Sequence, residues 1–325
     1  SRANRSLLSV AAGIALVAGL LFAAGQPVLA QQPAKSAKGG KDAAPAAPSS
    51  TMGAATGKAL NEAIELLNAE NYSGASAKIG GLNLEKLSPY ERSKVEQILF
   101  NISFAQEKYD DARGHLQKAI DAGGLNEQEV QQARYQSAQL YMTEEKWKEG
   151  AAALEGWLKS ATNANSGAYY LLAVAYYQMD DFNRALPPAK KAVELMDPKN
   201  PQESWLAMLS SLYLQRDEYG DAIPLLQQLV SIAPDKKTYW LQLSSVYGQE
   251  KDYVNSLAIM QLAYSGGLVT EDSEIRRLTD LLLVNEIPYR CAQVLETAIS
   301  NKSVKLDASL YEKLANCWIA AGEFD

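Results

Sequence analysis

The chain has 325 residues, 47% of them hydrophobic and 21% charged, with a formal net charge of −7, one histidine and two cysteines. A surface of that sign repels phosphate backbones, which argues against nucleic acid as a partner. With His115, Cys291 and Cys317 as the whole supply of imidazole and thiol, and no CxxC or HExxH spacing, there is little raw material for metal sites or histidine-dependent catalysis. No catalytic, cofactor-binding or metal-binding residues are assigned, and the chain is read as a non-enzyme that needs no cofactor.

The first thirty residues have the layout of a secretory signal. Arg2 and Arg5 precede an apolar run of about eighteen residues, Leu7–Ala24, then the helix breakers Gly25 and Pro27, then Val28-Leu29-Ala30. Cleavage after Ala30 is expected. The run is also just long enough to span a bilayer, so an uncleaved inner-membrane anchor is the competing reading. Both readings export the rest of the chain, and a periplasmic location is the expectation. Residues 31–57 (QQPAKSAKGGKDAAPAAPSSTMGAATG) offer Met52 as their single large apolar side chain and are expected to form a disordered linker.

From residue 58 to 325 one pattern recurs. The clearest unit has Trp240, then Leu243-Ser244, Tyr247, Tyr253, Ser256, Met260 and Ala263. The first four share one helical face and the last three share a face of a second helix, with a turn over 248–252. Small residues are needed where two antiparallel helices approach, and Ser244 and Ser256 supply them. The same offsets give Tyr169, Leu172, Ala173, Tyr176, Phe182, Ala185, Ala189 and Ala192, and then Leu206, Leu209, Ser210, Tyr213, Tyr219, Ala222, Leu226 and Leu229. The small residue opening each second helix falls at Ala75, Ala112, Gly150, Ala185, Ala222, Ser256 and Cys291, 34 to 38 residues apart.

That order of aromatic, Leu-small, Tyr, small, aromatic and Ala resembles the tetratricopeptide repeat (TPR), a helix-turn-helix unit of about 34 residues. The resemblance implies an all-α fold: a right-handed TPR superhelical solenoid of about seven and a half repeats over residues 58–325, ending within the last one. A half-repeat at 308–324 with no partner helix is expected to fray. In such arrays the first helices line a concave groove, and the corresponding positions here include Tyr135, Gln139, Met142, Tyr170, Val174, Tyr177, Leu214, Leu241 and Arg276. They are candidates for holding a peptide or helix of a partner protein. The paired Lys and Asn that chaperone-docking TPRs use to hold a C-terminal carboxylate are missing: Tyr135/Gln139, Tyr170/Val174 and Leu241/Ser245 stand there instead.

His115 is expected to be an ordinary exposed side chain. Cys291 occupies a small packing position and Cys317 lies in the next repeat. Two buried thiols are the expected state, and a disulfide between neighbouring repeats is the alternative.

Residues 265–295 carry a further resemblance, through Gly267-Leu268-Val269-Thr270-Glu271, Leu281-Leu282, Ile287-Pro288-Tyr289-Arg290 and Val294-Leu295-Glu296. The stretch is similar to a divergent repeat of periplasmic TPR proteins associated with the TonB/ExbB/ExbD energy-transduction system. This implies an accessory role in TonB-dependent energy transduction, with TonB, ExbB or ExbD components as partners. A periplasmic assembly scaffold for outer-membrane proteins or cell-wall enzymes is the alternative, and a TPR-shelled enzyme is disfavoured by the missing catalytic groups.

Overall fold

The computed structural model describes residues 51–162 and 164–322. The expected signal segment and all of the linker before Thr51 lie outside the described residues. Within them the chain is all α: fifteen helices and one short 3-10 turn, with no strand.

The chain divides into two compact units, with the boundary between Ala185 and Leu186. The first contains α1 (Ala54–Asn68), α2 (Tyr72–Gly80), α3 (Pro89–Ala105), α4 (Tyr109–Asp121), α5 (Glu127–Thr143), α6 (Trp147–Ser160), α7 (Ser166–Gln178) and the start of α8 (Phe182–Glu194). The second contains the rest of α8, α9 (Glu203–Leu214), α10 (Tyr219–Ile232), α11 (Lys237–Gln249), α12 (Tyr253–Ser265), α13 (Asp272–Val284), α14 (Pro288–Ser300) and α15 (Ala308–Ala321). In each unit consecutive helices pack on one another, as TPR hairpins do.

The hairpins form where the sequence pattern places them. Ala75, Ala112, Ala185, Ala222, Ser256 and Cys291 are fully buried, and Gly150 is buried too. An aromatic residue opens six of the seven second helices, and Pro288 opens α14 at the first helical position, where its missing N–H costs nothing. Leu154, Leu226 and Met260 then fill the same layer further along, each with no exposed surface. Removing such a side chain to Ala costs about 2–5 kcal/mol.

Every first helix from α1 to α13 ends in the same turn. The N–H of Asn71 donates to the carbonyl of Leu66 at 2.8 Å and the N–H of Glu70 to that of Leu67 at 3.0 Å. That pair of bonds is the Schellman closure, and its penultimate residue must be left-handed. Glycine is the usual occupant, because a Cβ crowds the following carbonyl. Here the position is held by Glu70, Glu107, Glu145, Asp180, Asp217, Lys251 and Glu286, all with φ between 56° and 61°.

Three expectations need correction. Helix α1 starts at Ala54, inside the stretch assigned to the linker: the Gly53 N–H donates to Glu91 Oε1 at 3.0 Å, and Thr56 is buried. Glu91 also accepts from the Ser88 N–H at 2.9 Å and the Ser88 hydroxyl at 2.8 Å, so one carboxylate ties the entrances of α1 and α3 together. Cys291 and Cys317 are joined as a disulfide, not held as thiols, and their Cα atoms are 5.8 Å apart, within the usual bonding range. His115 is partly buried and its Nδ1 meets Glu96 Oε2 at 2.7 Å, pairing α4 with α3.

Candidate functional site

The nine groove candidates do not form one surface. Tyr135, Gln139 and Met142 on α5 are 8%, 3% and 3% exposed and cannot offer side chains to a ligand. Their burial comes from α6. The Trp157 ring lies 4.6 Å from that of Tyr135 and its indole N–H donates to the Gln131 carbonyl at 2.9 Å, closing over the site. This burial pushes the Tyr135 hydroxyl up to about 12. Met142 packs onto Gly150, where an added Cβ would come within 2.7 Å of its sulfur. The missing side chain at 150 therefore makes room for Met142.

Tyr170, Val174 and Tyr177 remain as a stripe on α7. Their spacing of four and three residues sets them on one face, and all three are half-buried. The Tyr177 ring meets Phe182 edge-on at 5.4 Å, which fixes one end of the stripe. Behind it, the inner face of α7 is locked. The Tyr176 hydroxyl donates to Glu155 of α6 and accepts from Arg184, whose guanidinium sits 4.2 Å above the Tyr176 ring. Burial first, and then the Glu155 carboxylate, push the Tyr176 hydroxyl up to about 12.

In the second unit, Leu214 and Leu241 are half-buried, and Leu241 packs against the core built by α12 to α15. Arg276 is committed to the protein itself. Its Nε donates to Asp272 at 2.9 Å, and its Nη2 donates to Asp307 at 3.1 Å and to the Lys305 carbonyl at 3.1 Å. Asp307 in turn accepts from the Leu310 N–H at 2.8 Å, so this arginine docks the entrance of α15 and is not a ligand contact. The Arg276–Asp272 hydrogen bond holds Arg276 above its ordinary pKa and the Asp272 carboxyl below its own, and the Leu310 N–H, followed by Arg276, lowers that of Asp307.

The pattern also overlooks exposed apolar side chains on second helices, Val254 and Leu262 of α12 and Tyr289 of α14. The signal for them was present in the composition of α12, YVNSLAIMQLAYS, which has no charged residue. Among the described residues no group of three or more His, Cys, Asp or Glu could hold a metal ion, and no helix is long and apolar enough to cross a membrane.

No family profile and no curated protein matches the sequence. Similarity appears among solved structures. The chain is similar to part of Naa15/Naa10 bound to HypK-THB, with 16% identity and a TM-score of 0.51, over 70% of this chain and 34% of that one. It is also similar to a tetratricopeptide repeat protein from Parabacteroides merdae ATCC 43184, with 13% identity over 82% of this chain and 99% of that one and a TM-score of 0.46. A third, YrrB, a TPR protein with an unusual peptide-binding site, has 17% identity over 61% of this chain and 92% of that one, with a TM-score of 0.44. At 16% identity the likeness to the Naa15/Naa10 structure speaks to the fold alone, an array of packed helical hairpins.

Proposed function

We propose that the chain is an exported scaffold that holds segments of other proteins on the first-helix face of its repeats, and that it serves TonB-dependent energy transduction in the cell envelope. The α7 stripe carries the binding part of this reading. Tyr170, Val174 and Tyr177 present an apolar, aromatic strip with no charged side chain, on a helix anchored from behind by Tyr176, Glu155 and Arg184. Rigid aromatics on a fixed helix bind through buried area at low entropic cost. Such a strip suits the side of a peptide or helix more than a charged end-group.

Export rests on the first thirty residues and agrees with the buried Cys291–Cys317 disulfide, a bond at home in oxidising compartments. The TonB part rests on the resemblance of residues 265–295, which make up the end of α12, all of α13 and the first half of α14.

The test is in-vivo cross-linking followed by co-purification of the full chain with TonB, ExbB and ExbD. Recovery of one of them should fall at least severalfold when Tyr170 and Tyr177 are both changed to Ala, with helicity unchanged. Energy-dependent uptake should fall when the gene is deleted, while passive porin transport stays the same. Normal uptake with no motor component recovered would remove the TonB role. Recovery of outer-membrane assembly factors or cell-wall enzymes in their place would select the assembly-scaffold alternative.

A further inference from the structure

Helix α12 is the odd member among the second helices. Its inner face, Ser256, Leu257, Met260 and Ala263, is buried as the hairpin requires. The opposite face of a surface helix is normally polar. Here it reads Val254, Ala258, Leu262 and Ser265, at steps of four, four and three residues, and all are exposed: Val254 by 72% and Leu262 by 58%. Of the seven second helices described, α12 alone lacks a charged residue. Helix α14, the next second helix, lies alongside. Between the two is an open cavity of about 470 Å³ with Leu262 on one wall, Arg290 and Val294 on the other, and Leu278 and Leu282 of α13 among its lining. Tyr289, 52% exposed, is not part of this lining: its ring meets that of Trp318 on α15 edge-on at 5.5 Å.

The groove has one charge. Among the described residues, Arg290 is the single ionised side chain in its lining, and its guanidinium meets only the neutral Gln293 Oε1, at 3.2 Å. A trough that sets Leu262 and Val294 beside the neutral Gln261, Tyr264 and Ser265, with a cation that lacks an anionic partner, is complementary to a largely apolar ligand that carries one carboxylate. A second copy of this chain would set Arg290 against Arg290 in a two-fold pairing of this face with itself. A membrane surface would call for several cations on a chain that is otherwise acidic.

We propose that the α12–α14 groove docks an apolar segment of a partner protein, with an Asp, Glu or C-terminal carboxylate of that segment against Arg290. It shares with the reading above the premise that the chain binds proteins. The surface is a different one, walled by the second helices α12 and α14 with two leucines of α13 in its lining, and it shares no residue with the α7 stripe.

The test selects peptides from a display library of twelve-residue sequences on the full-length protein. Selected peptides are then synthesised in pairs, with the acidic residue kept or replaced by its amide, and their affinities are measured by fluorescence anisotropy. The expected winners carry an acidic residue flanked by large apolar ones. Leu262→Asp or Val254→Asp should weaken them at least tenfold, and Leu262→Gln should weaken them less. Arg290→Gln should weaken the acidic peptide about fivefold and leave the amide version unchanged, while Tyr170→Ala with Tyr177→Ala changes nothing. Both apolar positions are exposed, so circular dichroism should show the fold intact. The proposal is overturned by a library that yields no binder, or by binders insensitive to positions 254, 262 and 290. It is equally overturned if the groove's occupant proves to be another copy, seen as a dimer that Leu262→Asp dissociates in sedimentation. Binding to phosphatidylglycerol vesicles that the same substitution abolishes would overturn it as well. Loss of binding only in the tyrosine variant would place the peptides on the α7 stripe and also exclude the groove.

Discussion

Ser244 and Ser256 bind each other's backbones across the α11–α12 hairpin. The Ser244 hydroxyl donates to the Ser256 carbonyl at 2.9 Å, and the Ser256 hydroxyl donates to the Ser244 carbonyl at 2.7 Å, with both residues fully buried. The equivalent of Ser244 one repeat earlier is Ser210, opposite Ala222, and its buried hydroxyl has no hydrogen-bond partner. Replacing Ser244 by Ala should therefore destabilise the protein by about 1 kcal/mol. Ser210→Ala should be neutral or stabilising by up to about 1 kcal/mol, because it removes an unpaired polar group. Denaturant midpoints measure both, and equal losses for the two variants would contradict the assignment.

The left-handed charged residues in the hairpin turns make a second contrast. Glu107, Lys251 and Glu286 have positive φ, and among the described residues no hydrogen bond to their side chains offsets it. The left-handed conformation costs an ordinary residue about 1–2 kcal/mol, and glycine returns about 0.5–1 kcal/mol of that as unfolded-state entropy. Each change to Gly should gain roughly 0.5 kcal/mol, and the three should add, because they sit in separate turns. Changes to Ala at the same positions should gain nothing. A triple-glycine variant with an unchanged melting temperature would show that these turns carry no strain.

Acid should loosen the amino-terminal hairpin first. Hydrogen bonding from the Ser88 backbone N–H, helped by the Ser88 and Thr56 hydroxyls and the Gly53 N–H and opposed by burial, lowers the Glu91 carboxyl from 4.5 to about 2. The folded value lies below the unfolded one, so the ionised form stabilises the fold. That contribution is complete above about pH 4.5 and is lost as pH falls towards 2. In Glu91→Gln the loss between these pH values should flatten, and amide exchange near Gly53 should be fast at neutral pH. An unchanged acid limb would show that Glu91 is not the group being titrated.

Helix α15 buries only Leu310 and Cys317, yet it is bonded to α14. Closing a loop with a sequence separation of 26 is worth about 3.5 kcal/mol on the chain-entropy scale. Changing both cysteines to Ser should make hydrogen exchange in α15 much faster while α11 stays protected. Equal protection in the double variant would mean that the pairs of Arg276 with Asp307 and of Lys313 with Asp280 hold the helix unaided.

The hairpin phase was legible because close helix crossing admits only small side chains, so Ala75, Ala112, Gly150, Ala185, Ala222, Ser256 and Cys291 mark every crossing. The candidate surface was much less so. Periodicity gives the direction of a side chain on its own helix but not what another helix lays over it, and Trp157 covers Tyr135 from α6. Arg276 was lost to the surface for a similar reason, since Asp307 reaches it from a different repeat. The start of α1 depends on Glu91, a partner distant in sequence. On α12 apolar residues occur on every face, so the pattern has no direction from which to read an exposed stripe.

The Cys291–Cys317 bond also has a mechanical consequence. Tension applied at Gly322 enters α14 through the two sulfurs, and the chain between positions 291 and 317 bears no load while the bond is intact. Those residues form hidden length. At about 3.5 Å per extended residue, reduction would release roughly 90 Å of slack. Under load, α15 can therefore be stretched out as a spacer in a reducing environment and stays a stiff, docked element in an oxidising one.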